Sequence, residues 1–250
     1  MAKTSAVPAS RVPRRTPAPL PDVPAPVAVA PVDRVLKRIG AAIRAMELPA
    51  IEKISDEQAG TAFHVLIATM LSAQTRDPVT LEASTRLFKR AGTPRTMAKL
   101  PTEEIERLIY PVSFYRNKAV HVKATCEKLL KEFGGKVPDS MEELLTLPGV
   151  GRKTANLVRI VAHEKPDSIC VDTHVHRICN RLGWVRTKTP EQTELALYEV
   201  TAKRWWSTIN LYLVTWGQHV CRPVYPLCGG CAVNGLCPKL GVTKQGRVKP

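Results

Sequence analysis

The segment LPGVGRKTANL, residues 147–157, constrains the fold more than any other part of the chain. Gly149 and Gly151 separate one stretch with a helical apolar pattern, 141–146, from a second, 152–163. Two helices joined by so short a turn expose backbone N–H groups at the start of the second helix, at the positive end of its dipole. The turn is therefore either a closely packed helix corner or a binding site for an anion.

The chain from residue 34 onward has a helical pattern almost throughout. Residues 62–74 are apolar on nearly all sides, which predicts a buried central helix. Residues 102–109 open with Thr and two Glu, a typical helix start. Capping residues predict further helix ends at Ser140 with Glu143, at Thr189 with Gln192, and at Gly183. No segment alternates as a strand would, so the sequence predicts an all-α fold.

The charge of the chain indicates the kind of partner it binds. It has 37 basic and 22 acidic residues, a net charge of +15. Such an excess favours a polyanion, either a nucleic acid or a membrane surface. No apolar run reaches the roughly 18 residues of a membrane span, so we expect no membrane association. Residues 239–250 form a basic tail, but the folded body is basic too, and we expect a DNA phosphate at the glycine turn.

The N-terminal segment has a different composition from the rest of the chain. Residues 1–33 are rich in Pro, Ala and Val, and prolines at this density prevent regular helices and strand ladders. The composition predicts a disordered arm. An organelle transit peptide is the alternative, although the prolines would interrupt its amphipathic helix.

Four of the seven cysteines crowd into residues 221–237. The odd total and this crowding are unlike a secreted disulfide scaffold and indicate a metal site in a reducing compartment. Zinc modules usually join two Cys-x-x-Cys pairs across a longer loop. The compact, uneven spacing here fits a [4Fe–4S] cluster better, with the ligands Cys221, Cys228, Cys231 and Cys237. We interpret the others, Cys126, Cys170 and Cys179, as buried apolar residues.

Taken together, these motifs resemble the endonuclease III family of DNA glycosylases and AP lyases, the iron–sulfur branch of the helix-hairpin-helix superfamily. The resemblance covers roughly residues 34–238 and rests on four features: LSAQTRD (71–77), LPGVGRKTAN (147–156), VDTHVHRICNRLG (171–183) and the four cysteines. It implies a monomer with two helical lobes. One is a six-helix lobe over 55–165 that carries the hairpin; the other joins 34–54 to 166–238 and carries the cluster.

Lys153 and Asp172 are the candidate catalytic residues. Lys153 lies in the first turn of a helix, beside Arg152. It is either a phosphate-binding lysine with its normal charge or a nucleophile. The helix N-terminus and the Arg152 cation both disfavour the ammonium form, which favours the neutral amine that a nucleophile needs. Asp172 precedes a helix and could simply be its N-cap. The resemblance implies more: Lys153 attacks C1′ of the sugar, and Asp172 faces it, helps to take its proton and stabilises positive charge on the sugar.

Other residues are candidates for binding DNA. A base extruded from the duplex leaves a gap that the protein must fill. The resemblance implies that Gln74 fills it and that Phe114, in the loop SFYRNKA (113–119), is a second wedge. Many family members have glycine where this chain has Ser113. From the residues alone, Gln74 could instead be the polar end of a buried helix and Phe114 a core residue. Further candidates are Gly149, Gly151, Arg152 and His174.

The function implied by the resemblance is removal of oxidised pyrimidines from double-stranded DNA in base excision repair, followed by strand cleavage through β-elimination. One alternative is a monofunctional mismatch glycosylase acting on adenine or thymine, but such relatives lack a lysine at the position of Lys153. The other is a non-catalytic hairpin module that only binds DNA. We expect the protein in the cytoplasm or nucleoid of a bacterium, or in the nucleus or an organelle of a eukaryote.

Overall fold

The computed structural model describes residues 30–57 and 61–247, and within these ranges it contains only helices, turns and loops. The all-α prediction is therefore confirmed. Most of the predicted arm lies outside the described residues. The α-helices, in chain order, are α1 Val32–Ala42, α2 Ala50–Glu57, α3 Ala62–Ser72, α4 Asp77–Arg90, α5 Pro94–Ala98, α6 Thr102–Ile109, α7 Tyr115–Glu132, α8 Met141–Leu144, α9 Arg152–Ala162, α10 Thr173–Leu182, α11 Pro190–Val200 and α12 Ile209–His219.

The first hydrophobic core surrounds α3, the predicted central helix. Every residue of α3 from Val65 to Leu71 is buried, and α3 packs against α2, α4, α7 and α9. Ile51 and Ile54 of α2 belong to this core. The sequence placed residues 34–54 in the other lobe, which is wrong for α2: its apolar face is covered by α3 and α4.

The second hydrophobic core is built by α1, α10, α11 and α12 around Trp184, which is fully buried. The indole N–H of Trp184 donates to the carbonyl oxygen of Ala30 at 2.9 Å. Asp33 accepts from the Trp205 indole at 2.6 Å and pairs with Arg204. The predicted boundary at residue 34 is therefore too late, because Ala30 and Asp33 bind polar groups of the second core.

The caps of the helices follow the sequence closely. Thr189 accepts from the backbone N–H of Gln192 at 3.3 Å, and Gly183 ends α10 in the left-handed conformation, φ 75°. Ser140 accepts from the N–H of Glu143 at 3.2 Å, as predicted, but its hydroxyl donates to the Glu143 carboxylate at 2.8 Å. The helix that begins there ends at Leu144.

The contacts of residues 30–33 predict a difference between two truncated chains. A chain that begins at residue 34 lacks Ala30, whose carbonyl accepts from the Trp184 indole. It also lacks Asp33, whose carboxylate accepts from both Trp205 and Arg204. The lost hydrogen bond of the buried Trp184 indole costs about 1 kcal/mol, so the melting temperature should be roughly 2–4 °C below that of a chain beginning at residue 30. Thermal unfolding followed by circular dichroism measures the difference; equal melting temperatures would contradict this anchoring.

Candidate active site

A cleft of about 1680 Å³ separates the two cores, and both cores contribute residues to its walls. Helices α9 and α10 both begin at this cleft. Four of the residues that the sequence singled out as catalytic or DNA-binding line this cleft: Gln74, Lys153, Asp172 and His174. The structure thus brings together residues that are up to 100 positions apart in the chain.

The glycine turn has the geometry of an open helix start. Gly149 has φ 75°, and a Cβ there would lie 2.8 Å from Nδ1 of His121, so both the conformation and the close contact require glycine. Gly151 is the N-cap of α9 and has no side chain to satisfy the first N–H groups of the helix. A Cβ at Gly151 would meet nothing within 4 Å. The first turn of α9 therefore presents its amides and dipole to an approaching anion.

The segment between α9 and α10 positions both candidate catalytic residues. Ile169, Cys170 and Val171 are buried, with Cys170 in the first core and its two neighbours in the second. The Cys170 thiol donates to the carbonyl oxygen of Lys153 at 3.6 Å. The carbonyl of Cys170 accepts from the amide of Asn210 at 2.9 Å. These contacts fix the start of α10 relative to the start of α9.

Asp172 is the N-cap of α10, as one of its two interpretations predicted. Its Oδ1 accepts from the N–H groups of His174 at 2.8 Å and Val175 at 2.9 Å. Both hydrogen bonds use the same oxygen, and Asp172 also lines the cleft. The cap holds the carboxylate of Asp172 in one orientation. Its role as an N-cap is therefore compatible with a catalytic role.

His174 is a half-buried residue packed between helices. Burial lowers the pKa of His174, and the nearby Asp172 carboxylate only partly offsets this. Its Nδ1 lies 3.1 Å from Nη2 of Arg177, a donor, which favours a neutral ring with an unprotonated Nδ1. The ring also packs on Gly217 of α12. These contacts give His174 a structural role, and its contact with DNA stays a prediction.

Arg152 forms an ion pair that the sequence did not indicate. Its guanidinium donates to both carboxylate oxygens of Glu194, at 2.9 and 2.8 Å. The Glu194 side chain is only 5% exposed and also accepts from Asn156 at 3.1 Å. The pair joins the start of α9 to α11, and hence the first core to the second. Contact of Arg152 with DNA stays a prediction; its side chain is 48% exposed beside this pair.

Gln74 and Phe114 occupy two neighbouring turns on the surface. Gln74 lies beyond the end of α3 and is exposed, so it is not the polar end of the buried helix. Phe114 is 63% exposed, which excludes the interpretation as a core residue. Both have the left-handed conformation, with φ 55° and 56°. The hydroxyl of Ser113 donates to the carbonyl oxygen of Gln74 at 2.7 Å and so joins the two turns.

Two residues that the sequence did not single out hold the site together. Lys118 on α7 is buried, and its ammonium donates to the carbonyls of Leu71 at 2.7 Å and Ala73 at 2.6 Å. Burial, and secondarily the charge of Lys153, lowers the pKa of Lys118 to about 8. Asp77 accepts from the backbone of Ala50 and from Gln218 at 2.9 Å. The position of Lys118 within the apolar face of α7 is the sequence signal that could have identified it. No such signal exists for Asp77, because nothing in the sequence pairs it with residues as distant as Ala50 and Gln218.

The four C-terminal cysteines line one cavity next to α10 and α12, and all are free thiols. Cys221 accepts from the Arg181 guanidinium at 3.4 Å, and Cys237 accepts from the backbone N–H of Lys239 at the same distance. Among the described residues, no three His, Cys, Asp or Glu side chains converge where a single metal ion would be held. Nor does any described helix have the length and apolar character needed to cross a membrane.

The chain belongs to the HhH-GPD superfamily of base excision DNA repair proteins, whose family model matches residues 67–203. Within that superfamily it is similar to proteins named endonuclease III. It is 49% identical over 175 residues to endonuclease III of Thermotoga maritima, covering 70% of this chain and 82% of that protein. It is 47% identical over 184 residues to endonuclease III homolog 2, chloroplastic, of Arabidopsis thaliana, where it spans 48% of the relative's length.

Solved structures agree with this assignment. A trapped covalent intermediate of endonuclease III with DNA matches with a TM-score of 0.75 and 33% identity, covering 83% of this chain and 94% of that one. A thermostable thymine-DNA glycosylase matches with a TM-score of 0.69 and 22% identity, which shows a shared fold.

The Arg152–Glu194 pair predicts a specific loss of stability. Glu194→Ala removes the acceptor of two charged hydrogen bonds and of the Asn156 amide. We expect a loss of about 2 kcal/mol in the free energy of unfolding, measured in urea. Glu199→Ala, at an exposed position of the same helix, is the matched control and should change stability by less than about 0.5 kcal/mol. Equal effects of the two substitutions would contradict the role of this pair.

Proposed function

We propose that this protein is a bifunctional DNA glycosylase and AP lyase that removes oxidised pyrimidines from double-stranded DNA, with Lys153 as its nucleophile. The observation that carries the proposal is the placement of Lys153 and Asp172. Both line the cleft at the starts of α9 and α10, and the buried segment 169–171 holds these two helix starts together. Family membership and the similarity to endonuclease III support base excision repair as the process.

The reaction begins with binding of the duplex and extrusion of the damaged nucleotide. The amides at Gly149 and Gly151 bind a backbone phosphate. In the proposed step, Nζ of Lys153 attacks C1′ and the bond from C1′ to the base breaks. Asp172 accepts the proton that the amine loses and stabilises the positive charge that develops on the sugar. Its cap to His174 and Val175 holds the carboxylate in place for this.

Strand cleavage follows from the covalent intermediate. The sugar ring opens as the C1′–O4′ bond breaks and O4′ takes up a proton, which leaves a Schiff base between Lys153 and C1′. This Schiff base acidifies the proton on C2′. Removal of that proton expels the 3′ phosphate, and the strand breaks by β-elimination. Hydrolysis of the Schiff base then returns the free amine of Lys153.

A lysine at position 153 also distinguishes this proposal from the alternatives. A monofunctional glycosylase activates water and has no use for an amine at this position. In a hairpin module that only binds DNA, Lys153 would bind a phosphate and Asp172 would only cap α10, so borohydride trapping separates that alternative from this proposal. Similarity to the thymine-DNA glycosylase concerns the fold and does not favour the monofunctional alternative.

We also propose that Cys221, Cys228, Cys231 and Cys237 hold a [4Fe–4S] cluster. The four thiols line one cavity and form no disulfide, and two of them accept N–H donors, Cys221 from Arg181 and Cys237 from the backbone of Lys239. Such donors are typical around the sulfurs of iron–sulfur clusters. Held by these four cysteines, the cluster would cross-link residues 221–237 and would keep them against the second core. Relatives are bacterial, chloroplastic and mammalian, and we propose that the protein acts on DNA in a nucleoid, a nucleus or an organelle.

Replacing Lys153 by Ala tests the nucleophile. Strand cleavage at an abasic site should fall by about three orders of magnitude or more, because the amine that forms the Schiff base is removed. Trapping of a covalent complex by borohydride should disappear, whereas affinity for the abasic duplex should change by about twofold at most. Lys128→Ala, on α7 and paired with Glu132, is the control. A trapped complex with Lys153→Ala would show that the nucleophile is another residue.

The metal content tests the cluster. Protein purified without oxygen should contain about four irons per chain and absorb broadly in the visible range. Cys228→Ser should lower the iron content, while Cys126→Ala, which removes a thiol from the first core, should leave it unchanged. Stoichiometric zinc without iron in the native protein would refute the cluster assignment.

A further inference from the structure

The turn that carries Gln74 and the turn that carries Phe114 share one hydrogen-bond network. The hydroxyl of Ser113 donates to the carbonyl oxygen of Gln74 at 2.7 Å, and its backbone N–H donates to Oγ1 of Thr75 at 3.2 Å. From the other side, Nζ of Lys118 donates to Ala73 at 2.6 Å and to Oγ1 of Thr75 at 3.3 Å. Three donor groups thus bind the turn that carries Gln74: the hydroxyl and the backbone N–H of Ser113, and Nζ of Lys118.

Both turns hold a strained backbone at the residue that would enter the duplex. Gln74 and Phe114 have φ angles of 55° and 56°, a conformation that is unfavourable for residues with a Cβ. Such conformations persist only where surrounding contacts impose them. Phe114 is largely exposed and Gln74 is exposed as well, so burial of their side chains does not impose these conformations. The hydrogen bonds from Ser113 and Lys118 act together with the backbone bonds that close the two turns, from the N–H of Thr75 to Ser72 and from the N–H of Tyr115 to Val112.

We propose that Ser113 is a positioning residue that locks the two turns together, so that Gln74 and Phe114 enter the duplex as one rigid unit when the damaged nucleotide is extruded. The inference deepens the proposed function and rests on it. Ser113 touches neither the cleft nor the reacting atoms; it acts through the Gln74 carbonyl. Glycine at this position would keep the backbone donor to Thr75 but would lack the hydroxyl bond to Gln74.

The test compares Ser113→Ala with the unmodified protein on two substrates. The first is a duplex with one thymine glycol, and the second is the same lesion strand without its complement. Single-turnover base removal from the duplex should slow about fivefold, the factor that corresponds to one lost neutral hydrogen bond. Removal from the single strand should change less than about twofold, because no stacked duplex has to be opened and refilled. A 2-aminopurine beside the lesion should report correspondingly slower unstacking.

Two further sets of variants separate positioning from a general loss of structure. Ser113→Thr retains a hydroxyl and should restore the rate on the duplex. In a Gln74→Ala, Phe114→Ala background, Ser113→Ala should have no further effect, because the side chains that it positions are absent. Thr208→Ala is the matched control, since its hydroxyl also donates to a backbone carbonyl, that of Trp205, away from the cleft.

The outcomes distinguish this inference from the proposed function. If the unmodified protein forms no borohydride-trapped complex on abasic DNA, the proposed function fails. If trapping succeeds but Ser113→Ala slows both substrates equally, or still slows the duplex reaction in the double-variant background, the positioning role of Ser113 is wrong. A duplex-specific loss that vanishes in that background supports it.

Discussion

The geometry of the site depends on three buried residues, Ile169 to Val171, that alternate between the two hydrophobic cores. Cys170 packs in the first core and is bonded to the carbonyl of Lys153. Its neighbours pack in the second core, and Asp172 follows directly as the N-cap of α10. The start of α9 and the start of α10 therefore have a fixed relation only if both cores are folded. The cleft between the two cores leaves room for DNA. Although the cleft separates the cores, the segment 169–171 holds the starts of α9 and α10, and with them Lys153 and Asp172, in a fixed relation.

A second set of polar contacts supports the same relation around the cleft. The Arg152–Glu194 pair joins α9 to α11, and Asp77 joins α4 to α2 and to Gln218 of α12. Each contact crosses from one core to the other or connects helices at the wall of the cleft. Buried pairs of this kind contribute modestly to stability but penalise any other arrangement, because breaking them leaves a charge without its partner.

The local structure could be predicted well from the sequence. Residues 62–72 form a buried helix because they are apolar on every side, and Asp172, Thr189 and Gly183 cap helices as their chemistry demands. What could not be predicted are contacts between distant residues. The amphipathic pattern of α2 does not indicate which of the two cores it joins, and only the packing in the structure shows that it joins the first. Nothing in the sequence shows that Glu194 would be the partner of Arg152, or that the carbonyl of Ala30 would satisfy the Trp184 indole.

The central claim is that the amine of Lys153 forms the covalent bond to DNA. Mass spectrometry of the borohydride-trapped complex, after digestion of protein and DNA, locates that bond directly. We expect a single reduced sugar adduct, on Lys153, in the peptide that contains the first turn of α9. An adduct on a different residue, such as Lys118 behind the Gln74 turn, would contradict it.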